Sequence, residues 1–185
     1  MTRRTPAAIM LAGVGLTVAP ALSDHRPELM WNASASVPVG LYRVSLATQI
    51  EIADLVVVIP PDGLADFLSE RGYLPRNVPL IKRVLALSGT TVCRNDATII
   101  AYDNAFGVAL DHDRIGRGLP VWQGCRSLRD GEVFLMNWDA PDSLDGRYFG
   151  PLPITTIVAR VTPLWTDEAG DGRFVWRATE PAPMR

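Results

Sequence analysis

The sequence predicts a mainly β fold of antiparallel sheets with one short helix in a single domain, and three observations predict it. The apolar runs are short, rich in Val, Ile and Thr, and closed by Pro, Gly or polar turn residues, as strands are. One segment alone carries helical spacing. A length of 185 residues, 48% hydrophobic and 21% charged, matches one folded domain with a sizeable core.

The elements follow in chain order. Met1-Thr2-Arg3-Arg4 precedes an apolar run from Ala7 to Leu22, which holds Ala19-Pro20-Ala21 near its end and gives way to polar Ser23-Asp24. A basic start, an apolar middle and small residues at the end have the layout of a secretory signal. Read instead as an uncleaved anchor, the run would rise about 24 Å as helix against a hydrocarbon core of ~30 Å, so residues 1–22 stand as a signal peptide or a membrane anchor. In either case the positive end stays inside, and the remainder is exported to the periplasm or to the periplasmic face of the inner membrane.

Next comes WNASASVPVGLYRV, residues 31–44, where Ser34 and Ser36 stand before Val37-Pro38 and a Gly-Leu-Tyr. Ser and Pro are ordinary turn residues, so the stretch reads first as a turn ahead of a strand. Strands are predicted over Leu55–Ile59, closed by Pro60-Pro61, over Val78–Leu87, closed by Ser88-Gly89, and over Thr91–Cys93, Ala97–Tyr102, Glu132–Met136 and Ile157–Trp165. Between the first two, Gly63–Gly72 places Leu64, Phe67 and Leu68 on one helical face, with Gly72 as the stop. The polar stretch from about 95 to 124 reads as a loop-rich insertion outside the main sheet. The domain is expected over 23–165, with 166–185 as a Gly-, Pro- and charge-rich tail read as partly disordered.

A formal net charge of -2 leaves no electrostatic footprint for nucleic acid. Cys93 and Cys125 are too far apart for a C-x-x-C metal or redox motif, and an oxidising compartment favours their pairing as a disulfide, the alternative being two buried thiols. His25 and His112 are isolated and read as surface residues, with Asp111 and Asp113 in a solvated loop. No metal site and no organic cofactor is indicated.

Of the 18 basic residues, 17 are Arg and one, Lys82, is Lys. In VPLIKRVLAL, strand alternation puts Leu80, Lys82, Val84 and Ala86 on one face and Ile81, Arg83, Leu85 and Leu87 on the other. If the Lys82 face is covered, desolvation lowers its pKa and leaves a neutral amine able to take a proton from a hydroxyl, as in Ser-Lys nucleophile pairs. The bland alternative is an edge-strand lysine that reaches water. A third segment, NWDAPDSLDGRYFGPLP (137–153), packs Ser143, Asp145 and Arg147 together just after a predicted strand. It is either an Asp/Ser turn with an ion pair, or a loop whose serine hydroxyl orients the lysine amine and whose Asp-Arg pair fixes that loop.

Together, in this order, the three segments resemble the serine, lysine and Ser-x-Asp-x-Arg-Tyr boxes of the type I signal peptidases. The TraF-type conjugal transfer branch is nearest, with Asn32, Ser36, Pro38 and Gly40-Leu41-Tyr42 matching its serine box. The resemblance runs from about Asn32 to Pro163. It implies antiparallel sheets with a substrate groove, Ser36 as nucleophile, Lys82 as general base and Ser34 as a hydroxyl assisting the oxyanion hole. It further implies Ser143 as the hydrogen-bond partner of the lysine amine and Asp145 with Arg147 as the ion pair behind it. The substrate class it implies is an exported precursor cut after small residues, in conjugal relatives a pilin, with the inner membrane and transfer-complex proteins as partners. Two departures stand: Val37 follows Ser36, with Pro38 two residues on where general signal peptidases have Met and a later Pro, and Ser88-Gly89 replaces a Pro-Gly-Asp. Two other readings compete: a repressor-type Ser-Lys autoprotease, and a non-catalytic envelope or pilus-assembly subunit.

Overall fold

The computed structural model describes residues 27–176 together with Met10, Gly13 and Val14. The rest of the 1–22 segment, His25 and the end of the chain from 177 lie outside the described residues. Among the described residues, no helix is long and apolar enough to cross a membrane.

The predicted runs become strands because their alternate residues supply two apolar faces that neighbouring layers cover. In chain order the strands are β1 (Leu29–Asn32), β2 (Val39–Ser45), β3 (Leu55–Val58), β4 (Leu80–Leu87), β5 (Thr91–Asn95), β6 (Thr98–Ala101), β7 (Asn104–Val108), β8 (Gly124–Ser127), β9 (Glu132–Leu135), β10 (Leu152–Pro153), β11 (Ile157–Asp167) and β12 (Val175–Trp176). Helix α1 spans Asp62–Glu70 and the single-turn α2 spans Gly146–Phe149. Helix α1 stops where the sequence predicts, because Gly72 takes a left-handed φ of 69° and its N–H bonds back to Ser69 O.

All pairings are antiparallel, in two sheets. The larger runs β1-β2-β11-β3-β4-β9-β10, with β12 on β11; the smaller runs β7-β6-β5-β8. One face of the larger sheet buries Leu55, Val57, Ile81, Ala159 and Val161 with Tyr42, and the other buries Val56, Val58, Val84, Val133 and Leu135. A third cluster, with Leu85, Val92, Ile99, Trp122, Phe134 and Met136 at its centre, joins the two sheets. At 25 cal/mol per Å², each such buried aliphatic side chain contributes roughly 1.5–3 kcal/mol. Gly40 makes the β2–β11 crossing possible, since a Cβ there would lie 2.2 Å from Trp165 O.

Two expectations are corrected. The stretch 95–124 lies outside the larger sheet but is less loop-rich than expected: beside β6, within the predicted strand Ala97–Tyr102, it supplies β7 of the smaller sheet, and only 109–123 stays irregular apart from one bridge, His112 to Gly118. Its hairpin was hidden because Tyr102 and Asp103 both adopt positive φ, giving a two-residue turn without a glycine to announce it. Within the segment read as a tail, β11 continues to Asp167 and β12 folds back so that Trp176 stacks on Trp165. Alternation along β4 fails at Leu85, where a register shift against β9 sends Leu85 and Ala86 together into the inter-sheet core and returns Leu87 to the cluster of Leu80 and Val84.

Candidate functional site

The two serines sit on the turn between β1 and β2, and the side chain of Asn32 builds that turn. Its Nδ2 faces the carbonyls of Ser34 (2.7 Å), Val37 (3.1 Å) and Pro38 (3.1 Å), while its Oδ1 accepts from the Ser34 N–H (3.1 Å) and the Ser34 hydroxyl (2.9 Å). Buried Tyr42 braces the same turn through a 2.6 Å bond from its hydroxyl to Pro38 O. Ser34 and Ser36 Oγ lie 3.2 Å apart. Because the one Ser34 proton is given to Asn32, the proton between the two serines is that of Ser36. Asn32 thus emerges as the residue that shapes the serine turn, where the sequence marked it only as part of a motif.

Lys82 projects from β4, opposite Val56 of β3, and is 4% exposed. Its Nζ donates to Ser143 Oγ at 2.7 Å. Burial brings the amine down from 10.5 to about 8; Asp145 pulls it up and Arg147 pushes it down. Lys82 is therefore the covered lysine and not the snorkelling one.

The loop carrying Ser143 is held by a buried ion pair. Arg147 Nε and Nη2 donate to Asp145 Oδ1 (3.0 Å) and Oδ2 (2.9 Å), and the side chains are 1% and 0% exposed. The remaining donors of Arg147 gather the carbonyls of Asn137 (2.8 Å), Ala140 (2.7 Å) and Pro141 (3.0 Å), so one guanidinium closes the whole turn. Asp145 also caps α2, accepting from the Arg147 N–H. Helix α2 lies so close to β9 that a Cβ on Gly146 would sit 2.7 Å from Leu135 O and the Phe134 ring. From the smaller sheet, Arg94, 2% exposed, reaches across to donate to Arg147 O at 2.7 Å.

Asn137 is the residue least visible in the sequence. It is 3% exposed; its Oδ1 accepts from the Arg83 N–H (2.8 Å), its Nδ2 donates to Ile81 O (3.2 Å), and its own N–H donates to Asp145 Oδ2 (3.1 Å). Its one signal was its place at the end of a predicted strand, ahead of an Asp/Ser loop.

Ser34, Ser36, Lys82 and Ser143 all line one cleft of about 940 Å³. Among the described residues, no hydrogen bond joins Ser36 to Lys82; the serine bonds to Ser34 and the lysine to Ser143. Apolar walls come from Met30, Leu68, Ile81 and Leu144. The far wall is the 109–119 segment, whose Asp113 corrects the expectation of a solvated loop. It accepts from the Tyr73 hydroxyl (2.5 Å), from Arg117 Nε (2.7 Å) and from the N–H groups of Ile115 and Arg117. His112 stands exposed at the same edge. Cys93 and Cys125 form a disulfide across directly paired positions of β5 and β8, away from the cleft lining.

A buried amine beside a hydroxyl, in a cleft that also exposes a second serine on a tight turn, is an arrangement able to deprotonate an alcohol near neutral pH. Comparisons with known proteins bear on it. The chain matches the signal peptidase, peptidase S26 family over residues 1–165. It is 31% identical over 180 residues to a plasmid transfer protein TraF of Escherichia coli, covering 89% of this chain and 97% of that one. It is 34% identical over 146 residues to the conjugal transfer protein TraF of Agrobacterium fabrum strain C58, covering 73% and 81%. Among solved structures, a signal peptidase I from Enterococcus faecalis V583 aligns with a TM-score of 0.38 and 17% identity, over 64% of this chain and 100% of that one. The chain belongs to the signal peptidase S26 family, on its TraF-type conjugal transfer branch.

Proposed function

We propose that the protein is a serine endopeptidase of a conjugal transfer system, with Ser36 as nucleophile and Lys82 as general base, that cleaves exported precursor proteins such as a conjugative pilin at the periplasmic face of the inner membrane. The observation carrying this reading is the single lysine of the chain, buried, bonded to Ser143 and sharing a cleft with Ser36. The names of the relatives, plasmid and conjugal transfer proteins, support the setting.

β1 is the outer strand of the larger sheet and leads straight into the serine turn, so an extended precursor can add to its open edge by main-chain hydrogen bonds. Neutral Lys82 takes the Ser36 proton as Oγ bonds to the scissile carbonyl carbon. The Ser36 N–H and the Ser34 hydroxyl, once turned from Asn32, bear on the oxyanion, and the Lys82 ammonium returns its proton to the departing amine. A water deprotonated by Lys82 then cleaves the acyl ester and regenerates Ser36.

The test is processing of a co-expressed pilin or signal-bearing precursor, followed by mass, for wild type, Ser36→Ala, Ser34→Ala and Lys82→Ala. Wild type is expected to cut, the Ser36 and Lys82 variants to leave precursor, and Ser34→Ala to cut slowly. Equal processing by all four overturns the reading and leaves a structural envelope subunit.

A further inference from the structure

β9 ends at Leu135, opposite Val84, and past that pair one further main-chain bond, from Met136 N–H to Arg83 O at 2.9 Å, joins this side of β4, with Val84 its last residue in strand register. Two residues earlier stands Lys82, whose flanking peptide groups, Ile81 O and Arg83 N–H, would there face a gap. The amide of Asn137 fills it with the donor and acceptor that a strand would have supplied, at 3.2 Å and 2.8 Å. The main chain of the same residue belongs to the Ser143 loop, its N–H on Asp145 and its carbonyl on Arg147. One residue therefore ties the lysine strand to the loop that presents Ser143 to the lysine.

We propose that Asn137 is a positioning residue that holds the Lys82 backbone in register with the Ser143 loop, so that the amine is aimed along the cleft. The proposal rests on the peptidase reading above for its kinetic consequence and on the contacts alone for its structural one. An amide suits this role where an aliphatic residue would not. Ile81 O is buried and Arg83 N–H partly so, and main-chain groups taken out of water need partners. Lys82 is faced by Asp145 and Arg147 from the loop and α2, and both are themselves bonded to Asn137, so a shift there moves the charges around the amine as well.

The experiment compares Asn137→Ala with wild type in kcat, KM and the NMR titration of Lys82. Selectively labelled lysine suffices for the titration, because the chain has one lysine and hence one Cε signal. A misplaced base is expected to lower kcat by about 10- to 100-fold with KM nearly unchanged. The Lys82 midpoint is expected to rise toward that of an ordinary lysine as the loosened register admits water to the amine, because burial is what holds it down. In a Ser143→Ala background the further loss from Asn137→Ala should largely vanish, since both changes break one unit. A folded Asn137→Ala that keeps the wild-type kcat and midpoint overturns the proposal, as does a kcat loss fully additive with Ser143→Ala.

Should Asn137→Ala not fold, Asn137→Ser replaces it, a neutral side chain whose one hydroxyl stands in for the separate acceptor to Arg83 N–H and donor to Ile81 O. A raised Lys82 midpoint with lowered kcat upholds the role, and wild-type values for both refute it. The titration needs no substrate, so it still reports on Asn137 if Ser36→Ala shows that cleavage belongs to another enzyme.

Discussion

Replacing Lys82 by Met should stabilise the fold at pH 7 while abolishing cleavage, and the gain should fade as pH rises. The amine falls from 10.5 to about 8 on burial. That drop corresponds to about 3 kcal/mol of preference for the neutral form in the folded state. Below the folded value, the native protein carries an ammonium that burial disfavours, and the full cost is present. Between about 8 and 10.5 the unfolded chain binds a proton that the folded protein does not, so wild-type stability climbs with pH through this window. Methionine of similar length removes the charge but forfeits the bond to Ser143, a loss of about 1 kcal/mol. The net expectation is a variant about 2 kcal/mol more stable at pH 7, a shift of about 1 M in the urea midpoint, converging with wild type near about pH 10. Urea unfolding of both proteins at several pH values reads this directly, because every other titrating group cancels in the difference. A difference that stays constant with pH, or a wild type more stable at pH 7, would refute the claim that burial depresses this amine. An amine whose neutral form is brought within reach of physiological pH is held there against the stability of the fold.

The remaining predictions concern the same network. The rate of cleavage should rise with pH along a limb centred near about 8, and Lys82→Arg should be inactive at every pH tested, because a guanidinium stays protonated; pH-rate profiles check both. Arg147→Ala strands the fully buried Asp145 carboxylate and takes a charged donor from three loop carbonyls, so a loss of about 3–5 kcal/mol is expected, seen as a melting temperature lower by about 10 °C or more. Paired Cys93→Ser and Cys125→Ser changes release a loop of 32 residues, and denaturant titration should show about 3–4 kcal/mol less stability, with cleavage kinetics little changed because the bridge lies off the cleft.

Much of the site was legible in the chain because its signals are local. Ser36, Lys82 and Ser143 each sit in a short segment whose residue types state their chemistry, and the order of the segments points to the family. The strand runs were legible for the same reason, since alternation and turn residues act within a few positions. The helix from Asp62 to Glu70 was readable from Leu64, Phe67, Leu68 and the Gly72 stop. The smaller sheet was less so: β8, Gly-Cys-Arg-Ser, is exposed along its whole length and has no apolar pattern, and the turn at Tyr102–Asp103 lacks a glycine.

By itself, then, the sequence determined a mainly β domain, an apolar segment at its start, and the kinds of group the cleft would hold, because these depend on side-chain chemistry and short-range spacing. Only the tertiary structure decided how those groups meet. The bulge at Leu85 exists because β4 must serve two cores at once. Asn32 and Asn137 became structural centres because each finds main-chain groups that the folded topology leaves without a strand partner. Arg94 is buried from the smaller sheet against the carbonyl of Arg147, a contact between residues far apart in the chain. Lys82 and Ser143 are 61 residues apart, and the 2.7 Å bond between them is a property of the packed sheets and the Arg147-closed loop, which no local pattern encodes.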